Sequence, residues 1–134
     1  MLERQRDRLM ALLADNTPSA RAFAYISIAL ARIEMALGNR DAAVQLAERG
    51  AQSDAVIRDT VFRESNRSDL AEIYALAGRK DEAVALIAGV LKSPYRWTPV
   101  TPIMLRLAPT WDLLREDPRF QALLKEYPAE VRLR

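Results

Sequence analysis

The strings Leu37-Gly38-Asn39-Arg40-Asp41-Ala42-Ala43-Val44 and Ala77-Gly78-Arg79-Lys80-Asp81-Glu82-Ala83-Val84 stand forty positions apart and share Gly, Asp, Ala and Val in register. The same offset pairs Leu30-Ala31 with Leu70-Ala71 and Ile33 with Ile73. A repeat of this length is one supersecondary unit used twice. Each unit reads as a helical hairpin. Gly tolerates the left-handed conformation that ends a helix, Asp caps the next helix, and a small Ala just inside it lets the pair approach closely. Two such hairpins cannot each bury both faces alone, so they stack side by side.

Working outward, residues 20–37 form a long helix with Phe23, Tyr25, Ile26, Ile28, Leu30, Ile33 and Met35 spread around its circumference, as in a helix packed on both sides. Residues 41–52 form its partner. Before it, residues 2–14 place Leu2, Leu9, Leu12 and Leu13 on one side of a helix that ends at Asp15-Asn16-Thr17-Pro18-Ser19, where Thr17 or Ser19 caps the next. Ser53 or Asp54 caps a stretch holding Val56, Ile57, Val61 and Phe62. Residues 63–69 then lack any large apolar side chain: either an exposed helical turn or a break, with Asp69 and Glu72 able to restart the helix as a capping box. Leu70, Ile73, Tyr74 and Leu76 carry it to Gly78, and residues 80–92 supply the last long helix.

After residue 93 the texture changes. Pro94, Pro99, Pro102, Pro109, Pro118 and Pro128 allow only brief helices. Asp117 caps a helix with Pro118 at its first position, where a missing N–H costs nothing. Phe120, Leu123, Leu124 and Tyr127 share its apolar face, and Trp111 and Leu114 fill the gap against the last hairpin. Trp97, between prolines, is expected to fold back as an anchor. No strand-like alternation appears anywhere.

The spacing Ala31–Gly38–Ala43–Ala47 and, more closely, Ala71–Tyr74–Gly78–Ala83–Ile87 resembles the tetratricopeptide repeat family. The first unit departs at Glu34, where an aromatic is usual, and at Ala47 and Gly50. The period of forty exceeds the family's, so extra residues lengthen the first helices or add a turn. The run from Leu105 to Leu124, with Trp111-Asp112-Leu113-Leu114-Arg115-Glu116-Asp117-Pro118-Arg119-Phe120, is similar to the closing segment of bacterial tetratricopeptide regions that follow a kinase, an adenylate cyclase or a winged-helix regulator domain. Ala108 stands where that segment often has Asp, which removes a cap. The resemblance implies an all-α chain, a right-handed α-α superhelix of stacked antiparallel hairpins with a C-terminal capping helix. Residues 1–134 are then one domain: a leading helix (1–18), hairpin 1 (19–53), hairpin 2 (54–93) and a Pro-rich cap (94–134). It also implies that the first helices line a groove, with Tyr25, Ile28, Arg32 and Met35 facing it from one unit and Ser65, Ser68, Asp69 and Glu72 from the other. Ile28, Arg32 and Asp69 fall where some family members carry a Lys/Asn clamp for an acidic tail, so that ligand is not expected.

Composition narrows the chemistry. The chain has 134 residues with 22 Ala and 18 Leu, which favours helix, and neither Cys nor His. Disulfides, thiolate or imidazole metal sites and imidazole proton transfer are thereby excluded. The 20 basic and 18 acidic residues are interspersed, without the clustered cations that nucleic acid demands. No apolar run approaches the ~20 residues of a membrane span, and the charged N-terminus is not a secretory signal; the reading is cytoplasmic. Asp54, Asp59, Asp112, Glu116 and Asp117 are the tightest acidic groups, and helix capping or a surface turn accounts for them. Glu34 is expected to be partly buried and paired with an Arg, or else the helix is rotated. No phosphate loop or nucleophile elbow is present. The expectation is a noncatalytic protein-interaction module, the C-terminal part of a larger bacterial signalling protein, without cofactor or metal, that binds another protein or a domain of its own polypeptide. The alternatives are homo-oligomerisation through the 2–14 helix and the 20–37 helix, giving a homodimer, and a helical pocket that senses a small molecule.

Overall fold

In the computed structural model, residues 1–14, 19–53, 56, 58–93 and 100–129 are described. They form α1 (Leu2–Ala14), α2 (Ala20–Ala36), α3 (Arg40–Ala51), α4 (Thr60–Leu76), α5 (Lys80–Lys92), α6 (Pro102–Leu107), a 3₁₀ segment (Pro109–Leu114) and α7 (Pro118–Glu126). Among the described residues no β-strand occurs, only a single-residue bridge at Val100. None of these helices is long and apolar enough to cross a membrane. The expected anchoring of Trp97 and capping by Thr17 or Asp54 lie outside the described residues.

The α2–α3 and α4–α5 bends are the same object built twice. Gly38 and Gly78 take φ of +88° and +80°. Past each glycine the chain closes in the same way. The Asn39 N–H donates to the Glu34 carbonyl and the Arg79 N–H to the Tyr74 carbonyl, both at 2.8 Å. The glycine N–H groups donate to Met35 and Ala75, both at 3.1 Å. These paired bonds satisfy carbonyls that a helix end leaves bare, and they require a left-handed residue between them. Just inside, Ala31, Ala43, Ala71 and Ala83 are all fully buried, which lets the helices of each pair lie close. Contrary to expectation, Asp41 and Asp81 do not cap: the caps are Asn39 and Arg79, neither with a side-chain bond. The aspartates sit instead in the first turns of α3 and α5, where the positive end of the helix dipole favours them.

The long first helix of the second unit begins at Thr60, after the cap expected at Ser53 or Asp54 and before any restart at Asp69. Residues 63–69 neither break the helix nor restart it at Asp69. α4 runs unbroken from Thr60, with Asp59 as its cap accepting from the Phe62 N–H at 3.0 Å. Within it Glu64, Asn66 and Ser68 are buried. Local partners serve two of them: the Ser68 hydroxyl donates to the Glu64 carbonyl at 3.1 Å, and Arg67 reaches the Glu64 carboxylate at 3.4 Å. Helices α2 and α4 are each 17 residues long, so part of the long period lies in the first helices.

Helix α2 packs on α3 and α4 on α5, and both α2 and α3 lie against α4. The main core continues from Ala31, Val44 and Ala47 through Ile73, Ile87 and Leu91 to Leu105, Trp111, Leu114 and Phe120. The 3₁₀ segment covers α4, and α7 covers α5. As expected, Asp117 caps α7, accepting from the Arg119 N–H at 2.9 Å, with Pro118 at the first position. Ala108 caps the 3₁₀ segment without a side-chain bond. Two arginines lock this closing segment. Arg106 donates to the Leu124 and Tyr127 carbonyls, and Arg115 to those of Leu105 and Ala108 at 2.9 and 2.8 Å. At the opposite end α1 rests on α2 with no residue of its own buried.

Candidate functional site

Positions forty apart meet where α2 and α4 lie side by side. The Arg32 guanidinium donates to Glu72 Oε1 at 3.4 Å and to Asp69 Oδ1 at 2.9 Å. Tyr25 and Ser65 line one cleft of about 130 Å³, together with Arg21, Asp59, Val61 and Phe62. The expected groove residues therefore fall into two groups along this wall: an aromatic end at Tyr25 and Ser65, and a charged end at Arg32, Asp69 and Glu72. Met35 is half-buried and packs against the core.

Ile28 and Ser68 do not line the wall. Both are buried, at 4% and 0% exposure. Ile28 belongs to the main core and Ser68 bonds back to its own helix. A helix presents a new side chain every 100° or so, so a wall read from a family register misses by one residue where the helix is slightly rotated.

At the aromatic end, the Tyr25 and Phe62 rings are tilted at 58° with centroids 5.2 Å apart. The Arg21 guanidinium lies 4.7 Å above the Phe62 ring and donates to Asp59 Oδ2 at 3.0 Å. Asp59 thus caps α4 and holds Arg21. The Phe62 N–H, followed by Arg21, keeps its carboxyl below the usual carboxylate range. At the charged end the balance is reversed: burial raises Asp69 above its usual value, against the pull of Arg32.

Arg21, Asp59, Val61 and Phe62 escaped the sequence reading as site residues. A signal was present: Arg21 and Asp59 stand 38 positions apart, close to the repeat, and carry opposite charge.

Two further positions mark the inner bends. Glu34 is buried as expected. Its carboxylate accepts from Asn39 Nδ2 at 2.6 Å, and the Arg6 guanidinium of α1 lies 3.8 Å away. Tyr74, its counterpart in the second unit, lies near Glu48 of α3, and burial, reinforced by Glu48, pushes its hydroxyl up to about 12. Of the acidic groups, Asp112 pairs with Arg115 at 2.9 Å, and Asp117 is drawn down to about 2, chiefly by the Arg119 guanidinium. Asp54 lies outside the described residues. Among the described residues no three His, Cys, Asp or Glu side chains are grouped to hold a metal ion.

Compared with protein-family models, with curated proteins and with solved structures, the chain matches none.

Proposed function

We propose that this chain is a noncatalytic protein-recognition module of tetratricopeptide-like hairpins winding as a right-handed superhelix, and that the α2–α4 wall is its binding face. One observation carries the reading. Equivalent positions of the two units meet along that wall, at Arg32 and Glu72 and again at Tyr25 and Ser65, which is how a stacked repeat builds a continuous groove. Its aromatic end stays open to solvent although the core lies directly beneath. The C-terminal closure by Trp111, Leu114 and Phe120 fits the last unit of a row, and so a place at the end of a larger bacterial signalling protein in the cytoplasm.

Site-specific photo-cross-linking in living cells tests it. A photoreactive residue in place of Ser65 is expected to give a discrete protein adduct that the same residue in place of Gln45, exposed on α3, does not. No adduct at Ser65, or the same adduct from both positions, contradicts the reading.

A second reading rests on α1, which buries none of its residues and exposes Leu2, Met10 and Leu12. Self-association through that helix predicts a dimer in sedimentation that Leu12→Arg abolishes; a monomer at all concentrations removes it.

A further inference from the structure

The aromatic end of the wall has a specific chemistry. Tyr25 is 57% exposed and Val61 38% exposed, while Phe62, which backs them, is buried. Two rings and a carboxylate would suit a cation, but that place is taken from within: Arg21 stacks on Phe62 and bonds Asp59. What remains open is apolar, the side of Tyr25 and the methyl groups of Val61. The space of about 130 Å³ falls short of the ~300 Å³ at which small-molecule sites begin. It is near the ~150 Å³ that accepts benzene in an apolar protein cavity. It fits one side chain.

The charged end has a surplus of the opposite kind. Arg32 faces two carboxylates, Asp69 and Glu72. Of the other cations, Arg63 and Arg67 lie 4.0 and 3.4 Å from Glu64, and Arg8 lines the α1–α2 cleft with Arg32. Among the described residues the two carboxylates thus share one guanidinium, and partial burial makes the second negative charge costly. Seven residues of α2 separate Tyr25 from Arg32, about 10.5 Å at 1.5 Å per residue. An extended chain crosses that distance in about three residues.

Resting on the reading of this wall as a recognition surface, we infer that it binds an extended segment of a partner protein. One large aliphatic or aromatic side chain of that segment enters the cleft between Tyr25 and Val61, and a Lys or Arg about three residues along meets Asp69 and Glu72. Arg21 also lines the cleft, and a main-chain carbonyl of the segment would accept from those of its N–H groups that Asp59 does not use.

Selection of random dodecapeptides displayed on phage against the full chain tests this. Enriched peptides are expected to share a large apolar residue with Lys or Arg three positions away. A synthetic peptide of that pattern should bind Tyr25→Ala about tenfold or more weakly than the wild type, and Leu107→Ala, altered at an exposed residue far from the wall, equally well. Repeating the selection on Glu72→Lys should replace the basic residue by Asp or Glu. Enriched peptides that bind Tyr25→Ala and Glu72→Lys as they bind the wild type overturn the inference and leave protein recognition standing. Enrichment no greater than on an unrelated helical protein counts against both.

Discussion

At the α2–α3 bend Glu34 occupies the position that Tyr74 holds at the α4–α5 bend, and each is served by the residue after the glycine. Asn39 donates to the Glu34 carboxylate at 2.6 Å; Arg79 lies 5.5 Å from the Tyr74 ring centroid. The backbone of the two bends is the same to within about 0.1 Å in its hydrogen bonds, yet the filling differs. Ala47, Gly50 and Ala51 in the first unit correspond to Ile87, Val90 and Leu91 in the second. The large residues of the second unit belong to the core that reaches the closing Trp111 and Phe120. The small ones of the first allow a closer approach: a Cβ on Gly50 would stand 2.8 Å from Ser27 Cβ. The bend is a property of the repeat, and the filling a property of what each unit has for a neighbour.

The largest expected effect is at the closed end. Trp111→Ala removes the fully buried indole of the 3₁₀ segment that covers α4 and should cost about 3–5 kcal/mol in denaturant unfolding. Leu12→Ala, at the open end, should stay within about 0.5 kcal/mol. Equal losses at the two ends would break the comparison.

Next comes the filling. Gly50→Ala forces a contact with Ser27 and should cost about 1–3 kcal/mol, and the cost should shrink in a Ser27→Gly background, as a double-mutant cycle reads directly. An additive cycle would mean that the close approach is not the cause.

The bends themselves should respond alike. Gly38→Ala and Gly78→Ala each put a Cβ into the left-handed region, with nothing within 4 Å to clash, so each should cost about 1–2 kcal/mol from backbone strain alone. Unequal costs would show that the units bend differently.

The smallest expected effect separates Tyr74 from Glu34. With the Tyr74 hydroxyl held near 12 rather than its ordinary 10.0, the folded chain keeps a proton that the unfolded chain loses above pH 10. Stability contributed there is complete below pH 10 and declines as pH rises towards 12. Unfolding curves from pH ~9 to ~12 should show that component in the wild type and not in Tyr74→Phe. The same slope in both would place the titration elsewhere.

The sequence was informative where one residue type answers one backbone demand. Gly38, Gly78 and the Asp117-Pro118 start are such places, and the small alanines at the hairpin interfaces are nearly so. It was least informative at residues 63–69, because period-based reading takes polar residues for surface. Glu64, Asn66 and Ser68 are instead buried, with Ser68 and Glu64 served by partners within one turn. The same blindness hid Asp59 as a cap. On the wall, Tyr25, Arg32, Ser65, Asp69 and Glu72 were legible through the family resemblance, whereas Ile28 and Ser68 depended on helix rotation, which neighbours decide. The cleft beside Tyr25 needed Arg21 and Phe62 from two helices, and no local pattern joins them.

The account stands on α2 and α4 lying in register, equivalent position against equivalent position. The chain has no cysteine, so nitroxide labels can be placed in pairs at Tyr25→Cys with Ser65→Cys, and at Arg32→Cys with Glu72→Cys. Packed helices sit about 8–10 Å apart, so dipolar broadening of the electron paramagnetic resonance spectrum should be strong for both pairs and weaker for the crossed pair 25 and 72. Broadening in only one of the equivalent pairs, or strongest in the crossed pair, would contradict the side-by-side repeat.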